Sequence, residues 1–202
     1  MRSQREIRQP GDRAVAPGGL ALVQAFVNSV NVEFGPDEFA SVEGLNRWLA
    51  RNGFAPPATA PDDLDLDLAR TITLREALRG LLRENNGAPT DERARRALDQ
   101  VARECPLVVG FDGGGPDPVL RPARTELPGV WAAVLAATVE ARLDGTWRRL
   151  KSCNEHRCEW AFYDRSRNRG SRWCSMAVCG TRAKMATYRG TRATSNAGSS
   201  GG

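Results

Sequence analysis

The chain has 202 residues, a net charge of +5, 41% hydrophobic and 26% charged residues, which is the composition of a folded protein with one large domain or two small ones. No apolar run reaches the roughly 18 to 20 residues that a membrane span needs; the longest, Val130 to Val139, is interrupted by Thr138. The first 19 residues are polar, Arg-rich and broken by Pro and Gly, without the apolar stretch of a secretory signal, so the expected setting is a reducing cytoplasm.

Residues 1–19 read as a disordered arm that ends at Gly18-Gly19. Leu20 to Val32 reads as a first helix, with Leu22, Phe26 and Val30 on one face and Val23 and Val27 beside them. Gly35-Pro36 turns the chain. Ser41 is placed to cap a short helix that carries Leu45, Trp48 and Leu49 and stops at Asn52-Gly53. The prolines of Ala55 to Pro61 make a loop. Asp62 to Leu82 reads as a longer helix, with Leu64, Leu68, Ile72 and Arg75 on one face and Leu74, Leu78, Leu81 and Leu82 further along; Glu84 to Gly87 ends it.

Thr90 is the expected N-cap of the next helix, whose core face is Ala94, Leu98 and Val101 and whose end is Cys105-Pro106. Leu107 to Phe111 and Pro118 to Pro122 form a hairpin around the turn Asp112 to Gly115. Pro128 to Leu143 is a further helix with proline in its first turn, closed by Gly145. The expected fold class is therefore mainly α with one small β-hairpin, over a helical domain of residues 20–145. A small zinc-stapled finger, treble-clef-like or ribbon-like, follows over 146–189. Residues 190–202, rich in Gly, Ser, Thr and Ala, read as a disordered tail.

Four of the five cysteines lie within 27 residues, as Cys153-x4-Cys158 and Cys174-x4-Cys179. In a reducing compartment two such pairs point to metal rather than to disulfides. Four thiolates satisfy the tetrahedral preference of Zn2+ and leave no position open, so the site is structural. The x4 gaps call for turns larger than a tight knuckle. A segment of about 45 residues also needs such a staple, because apolar burial alone rarely folds so short a unit. His156, the only histidine, lies between the first two cysteines; it is either a turn residue or a substitute ligand. Cys105 reads as a small core residue.

The charge is uneven. Residues 148–192 carry 12 Lys/Arg and 3 Asp/Glu, a balance of +9, whereas residues 1–147 carry 17 against 21. Arg165, Arg167, Arg169 and Arg172 group between the cysteine pairs; Arg182, Lys184 and Arg189 follow the last ligand, in a segment composed like a short helix. Such a stretch is either a solvated basic face or a surface for an anionic partner, nucleic acid first. Arg172, Arg182 and Asn168 have a competing role in holding the finger's loops. No enzyme is expected: no histidine lies outside the finger, Gly113 to Gly115 lacks the Lys-Ser/Thr of a phosphate loop, and the acids Asp62, Asp63, Asp65 and Asp67 read as a helix start.

The runs Cys153-Asn154-Glu155-His156-Arg157-Cys158, Trp160 to Asn168 and Arg172 to Lys184 together resemble the CGNR zinc finger, whose name-giving tetrapeptide here reads Cys179-Gly180-Thr181-Arg182 with Thr in place of Asn. Leu20-Ala21-Leu22 with Phe26-Val27-Asn28-Ser29 resembles the opening signature of the ABATE domain, and Thr146-Trp147 with Leu150-Lys151 resembles its run into the finger. The resemblance implies a bacterial, stress-responsive transcription regulator. DNA is then the first expected partner of the finger. An RNA-binding or protein-interaction adaptor is the other reading, in which Trp160, Phe162, Tyr163 and Trp173 stack bases. The helical domain is the natural place for a sensor or a homodimer contact.

Overall fold

The computed structural model describes residues 13–56, 61–111 and 118–197, with backbone alone at 61–63 and 190–197. Its helices are α1 (Leu20–Val27), α2 (Val42–Arg51), α3 (Pro61–Asn85), α4 (Glu92–Glu104), α5 (Leu127–Leu143) and α6 (Thr181–Ala197). The hairpin strands β1 (Leu107–Gly110) and β2 (Val119–Pro122) pair antiparallel, with Leu107 opposite Pro122. A second antiparallel pair, β3 (Leu150–Ser152) and β4 (Ala161–Tyr163), belongs to the finger. The turn expected at Asp112 to Gly115, the first 12 residues, the prolyl loop's residues 57–60 and the last five residues lie outside the described residues.

Apolar periodicity builds the helical core. Phe26, Phe39 and Trp48 meet with ring centroids 5.2 to 5.5 Å apart, and the indole Nε1 of Trp48 donates to the Ala25 carbonyl at 3.1 Å. Burying an aromatic residue this way requires its polar atom to find a partner. Ser41 caps α2 as expected, its Oγ accepting from Gly44 N at 3.1 Å. Gly44 is fixed by proximity: a Cβ there would lie 2.1 Å from the Glu38 carbonyl oxygen. α3 is the central element, and its apolar face holds two buried arginines. Arg75 meets Asp37 in a two-pronged ion pair at 2.5 and 2.8 Å, and Arg79 donates to the Val27 carbonyl at 2.6 Å. The guanidinium of Arg75 holds the Asp37 carboxyl below its ordinary range, against the opposing effect of burial.

Several boundaries differ from the sequence reading, each for a physical reason. α1 stops at Val27 rather than Val32, because the Asn28 side chain leaves the helix to bond β4 and Val30 bridges to Asp37. The cap of α4 is Asp91, not Thr90; its Oδ1 accepts from Ala94 N at 2.9 Å. The arm is docked from residue 13 on: Gln24, wholly buried, accepts from Ala16 N at 2.8 Å and donates to the Ala14 carbonyl at 3.2 Å. At the other end α6 runs on to Ala197, past the Gly190 where a tail was expected to begin. A single glycine inside a helix costs only about 1 kcal/mol relative to alanine.

The finger packs against the helical domain. Leu150 and Ala161, both 0% exposed, belong to the same buried cluster as Leu78 and Val134. The C-terminal end of α3 seats it. Asn85 Nδ2 donates to the carbonyls of Trp147 and Leu150, and Asn86 Nδ2 to those of Ser152 and Arg172, all within 3.0 Å. Sequence pattern marked Asn85-Asn86 only as a helix stop.

Candidate metal centre and basic surface

The first cysteine pair sits in the loop of the β3–β4 hairpin. Beyond Ser152, Cys153 N continues the ladder by donating to the Trp160 carbonyl at 3.0 Å. Between them Cys158 N and Glu159 N both donate to the Glu155 carbonyl, and Glu159 takes a left-handed φ of 48°. The second pair brackets a π-helical turn, Met176–Gly180, in which Cys179 N and Gly180 N share the Ser175 carbonyl. Both turns are wide, which is what four intervening residues require. α6 starts directly after the last cysteine.

These turns bring four sulfurs to one place. All four Sγ atoms lie within 4.8 Å of one another, with Cys158–Cys174 at 3.5 Å and Cys174–Cys179 at 3.6 Å. A tetrahedron with metal–sulfur bonds of about 2.3 Å has sulfur–sulfur edges of about 3.8 Å, so the donor set fits a single tetrahedral ion. The cysteines are not joined to one another. Hydrogen bonds from the neighbouring thiols at Cys158 and Cys174 favour a thiolate at Cys153. That charge then opposes the next ionisations: Cys174 is held far up by the sulfurs beside it, and burial followed by the charges of Cys153 and Cys158 pushes Cys179 up to about 12. Four thiolates coexist here when a cation neutralises them. His156 is 82% exposed at its side chain and lies outside this set, beside Glu155; it is the turn residue of the two readings.

The model of the ABATE domain, described as a "putative stress-induced transcription regulator", matches residues 20–145. The model of the CGNR zinc finger matches residues 149–192. The chain belongs to the ABATE family. It joins the ABATE domain to a C-terminal CGNR zinc finger, and the four cysteines are the finger's metal site. A comparison with curated proteins finds no match.

In this ABATE protein the basic residues fall into distinct environments. Arg165, Arg167, Arg169 and Arg172 are exposed on the loop between β4 and Cys174, and Lys184 and Arg189 are exposed on α6. Arg165 also donates to the Val15 carbonyl at 3.2 Å. Arg182 differs: it pairs with Glu33 of the helical domain at 2.6 Å, and this carboxylate raises its pKa. The arginine of the Cys-Gly-Thr-Arg motif thus ties the finger to the loop after α1. Arg172 holds the structure through its backbone, its carbonyl accepting from Asn154 N and Asn86 Nδ2, while its side chain lies on the surface. Of the aromatic candidates, Phe162 is buried, Trp160 packs on the cluster beneath Arg13 at 5.7 Å, and Trp173 stays partly exposed.

The sequence reading missed the residues that shape the basic loop. Lys151 and Asp164 form a buried ion pair at 2.7 Å, with side chains 6% and 0% exposed. Lys151 Nζ also donates to the carbonyls of Arg169 and Ser171, and Asp164 accepts from the backbone N–H groups of Ser166 and Ser171. Despite the cost of burial, the Lys151 ammonium and these donors hold the Asp164 carboxyl well below the usual range. The Lys151 ammonium has three acceptors and the Asp164 carboxylate three donors, the condition under which a buried ion pair can stand. The one local signal was Asp two residues before Ser after an apolar strand, the pattern of an Asx turn.

Proposed function

We propose that this ABATE protein is a DNA-binding transcription regulator whose CGNR finger holds zinc and presents the loop 165–172 and the first turns of α6 to DNA. One observation carries the reading. From Trp160 to Arg189 the chain has seven Lys/Arg and a single acid, Asp164. That acid is buried on Lys151, so no carboxylate of this segment offsets its exposed arginines at the surface. Arg is suited to phosphate and also reads guanine in the major groove.

Zinc is the metal favoured by four thiolates in a tetrahedron. The shell is closed, which supports a structural role and speaks against catalysis. The helical domain is then the sensing or dimerising part, and the working place is the bacterial cytoplasm. Metal analysis of the purified chain should return one zinc per chain. A gel-shift series on genomic and random duplexes should show binding at about 50 mM salt that falls steeply as salt rises, by about 0.9 in log K per log salt for each phosphate neutralised. A chain that holds zinc yet retards no duplex at low salt would sink the DNA reading.

A further inference from the structure

A groove of about 440 Å³ opens between the basic loop and the second cysteine turn. Ser166, Arg167, Asn168 and Arg172 of the loop line it together with Trp173 and Met176 of the cysteine turn. No acidic residue borders it. Its volume lies within the range of roughly 300 to 1,000 Å³ typical of small-molecule sites.

Both walls are preformed. On the loop side the Lys151–Asp164 pair fixes the backbone at Ser166, Arg169 and Ser171. On the other side Trp173 adjoins Cys174, whose N–H donates to Cys153 Sγ at 3.4 Å. The motif glycine Gly180 allows the apolar wall to form: a Cβ there would lie 2.6 Å from Met176 Sδ and 3.1 Å from Trp173 Cδ1. Met176 remains 56% exposed, an apolar side chain on a basic surface that packing does not account for.

Guanidinium groups in one groove with an indole and a thioether match a ligand with an anionic end and a flat apolar end. We infer that this groove is a subsite for one unstacked nucleotide, with Arg167 and Arg172 on its phosphate and Trp173 and Met176 against its base. The inference rests on the nucleic-acid reading of the finger and narrows it. A flat duplex backbone would engage the arginines and leave the concave apolar wall empty, whereas a single strand, a nick or an extruded base fills both. Base–aromatic contacts of this kind tolerate every base, because each base offers a π face.

Gly170, which also lines the groove, gives a variant. A Cβ there meets nothing within 4 Å, and the residue has no positive φ, so Gly170→Leu adds bulk beside the groove without straining the loop. The test uses the full zinc-loaded chain and three labelled probes: a short single-stranded oligonucleotide, the same strand made wholly of abasic sugars, and a duplex. The base-bearing strand should bind more tightly than the abasic one. Gly170→Leu should weaken it roughly 5- to 150-fold, the worth of one stacked base, and should weaken the abasic strand less, with zinc content unchanged. Trp173→Ala should act in the same direction. Equal binding of the base-bearing and abasic strands, or an unaffected Gly170→Leu, overturns the subsite while leaving duplex binding standing. Failure of all three probes at low salt overturns the nucleic-acid reading itself.

Discussion

The side-chain amide of Asn28 pairs with both backbone groups of Ala161. Its Nδ2 donates to the Ala161 carbonyl and its Oδ1 accepts from the Ala161 N–H, each at 2.8 Å. Asn28 thereby extends the β3–β4 ribbon from its free edge and fastens the finger to the end of α1. Gln24 adds a third bond, to the same carbonyl at 3.2 Å. In Asn28→Ala the carbonyl keeps Gln24, but the N–H of a fully buried residue loses its partner. The expected loss is about 1–3 kcal/mol, read as a lower urea midpoint at unchanged slope. Because finger and helices share one core, a single transition is expected. Two separated transitions in the wild type would contradict this.

Lys151 and Asp164 set the shape of the basic loop, so truncating one of them should cost both stability and binding. Lys151→Met leaves a buried carboxylate without its partner and should destabilise by about 3–5 kcal/mol. Replacing both, as Lys151→Met with Asp164→Leu, should recover much of the stability but not the nucleic-acid affinity, because the carbonyls of Arg169 and Ser171 lose their donor. Thermal melts with anisotropy on the same samples separate the two effects.

The same pair has a pH signature. The folded pKa of Asp164 lies below its unfolded value of about 3.9. Its contribution is therefore complete above that value and lost as pH falls through the folded pKa. Asp37, held down by Arg75, adds in the same sense. Stability of the wild type should fall below about pH 4, and Asp164→Asn should show a shallower fall. An identical acid slope in both chains counts against the assignment.

Arg167 should behave as an exposed phosphate contact, whereas the effect of Arg182 depends on its Glu33 partner. Arg167→Ala should weaken duplex binding and reduce the salt slope by about 1. Glu33→Ala removes the partner of Arg182, so it should leave binding unchanged or strengthen it. A weakening by Glu33→Ala equal to that of Arg182→Ala would show that the pair acts by positioning the finger.

Chelation separates the five thiols. With metal bound, none of the four ligands should react with a disulfide reagent; after chelation, those four should become reactive. Cys105 is 3% exposed and burial, with the nearby Glu104, pushes its thiol up to about 11. Because the thiolate is the nucleophile, it should remain slow at pH 8 until the chain unfolds. A fast fifth thiol in the folded chain would exclude this placement.

Much of the fold is local and was therefore legible. The apolar spacing of α2, α3 and α5, the Ser41 cap and the two hairpin strands all follow from neighbours close along the chain. The two cysteine pairs were legible for the same reason, since each occupies one turn. The misreadings share a cause. Asn28, Arg182, Lys151 and Asp164 have partners from 13 to 149 residues away, and spacing along the chain carries no trace of such contacts. Arg182 had two readings, a phosphate contact or a brace for the finger's loops, and its Glu33 partner is not visible along the chain.

The sequence by itself determined the chemistry: four thiols in two wide turns for a soft tetrahedral cation, and an excess of arginine between and after them. These depend on residue types and short-range spacing. The tertiary structure decided how that chemistry is held. Packing of β3 and β4 against the helical core seated the finger on the helical domain, and a buried ion pair turned an arginine-rich stretch into a shaped loop. Both follow from desolvation: a buried polar group must find its partner wherever the fold places one, and that place is fixed only when the whole chain has folded.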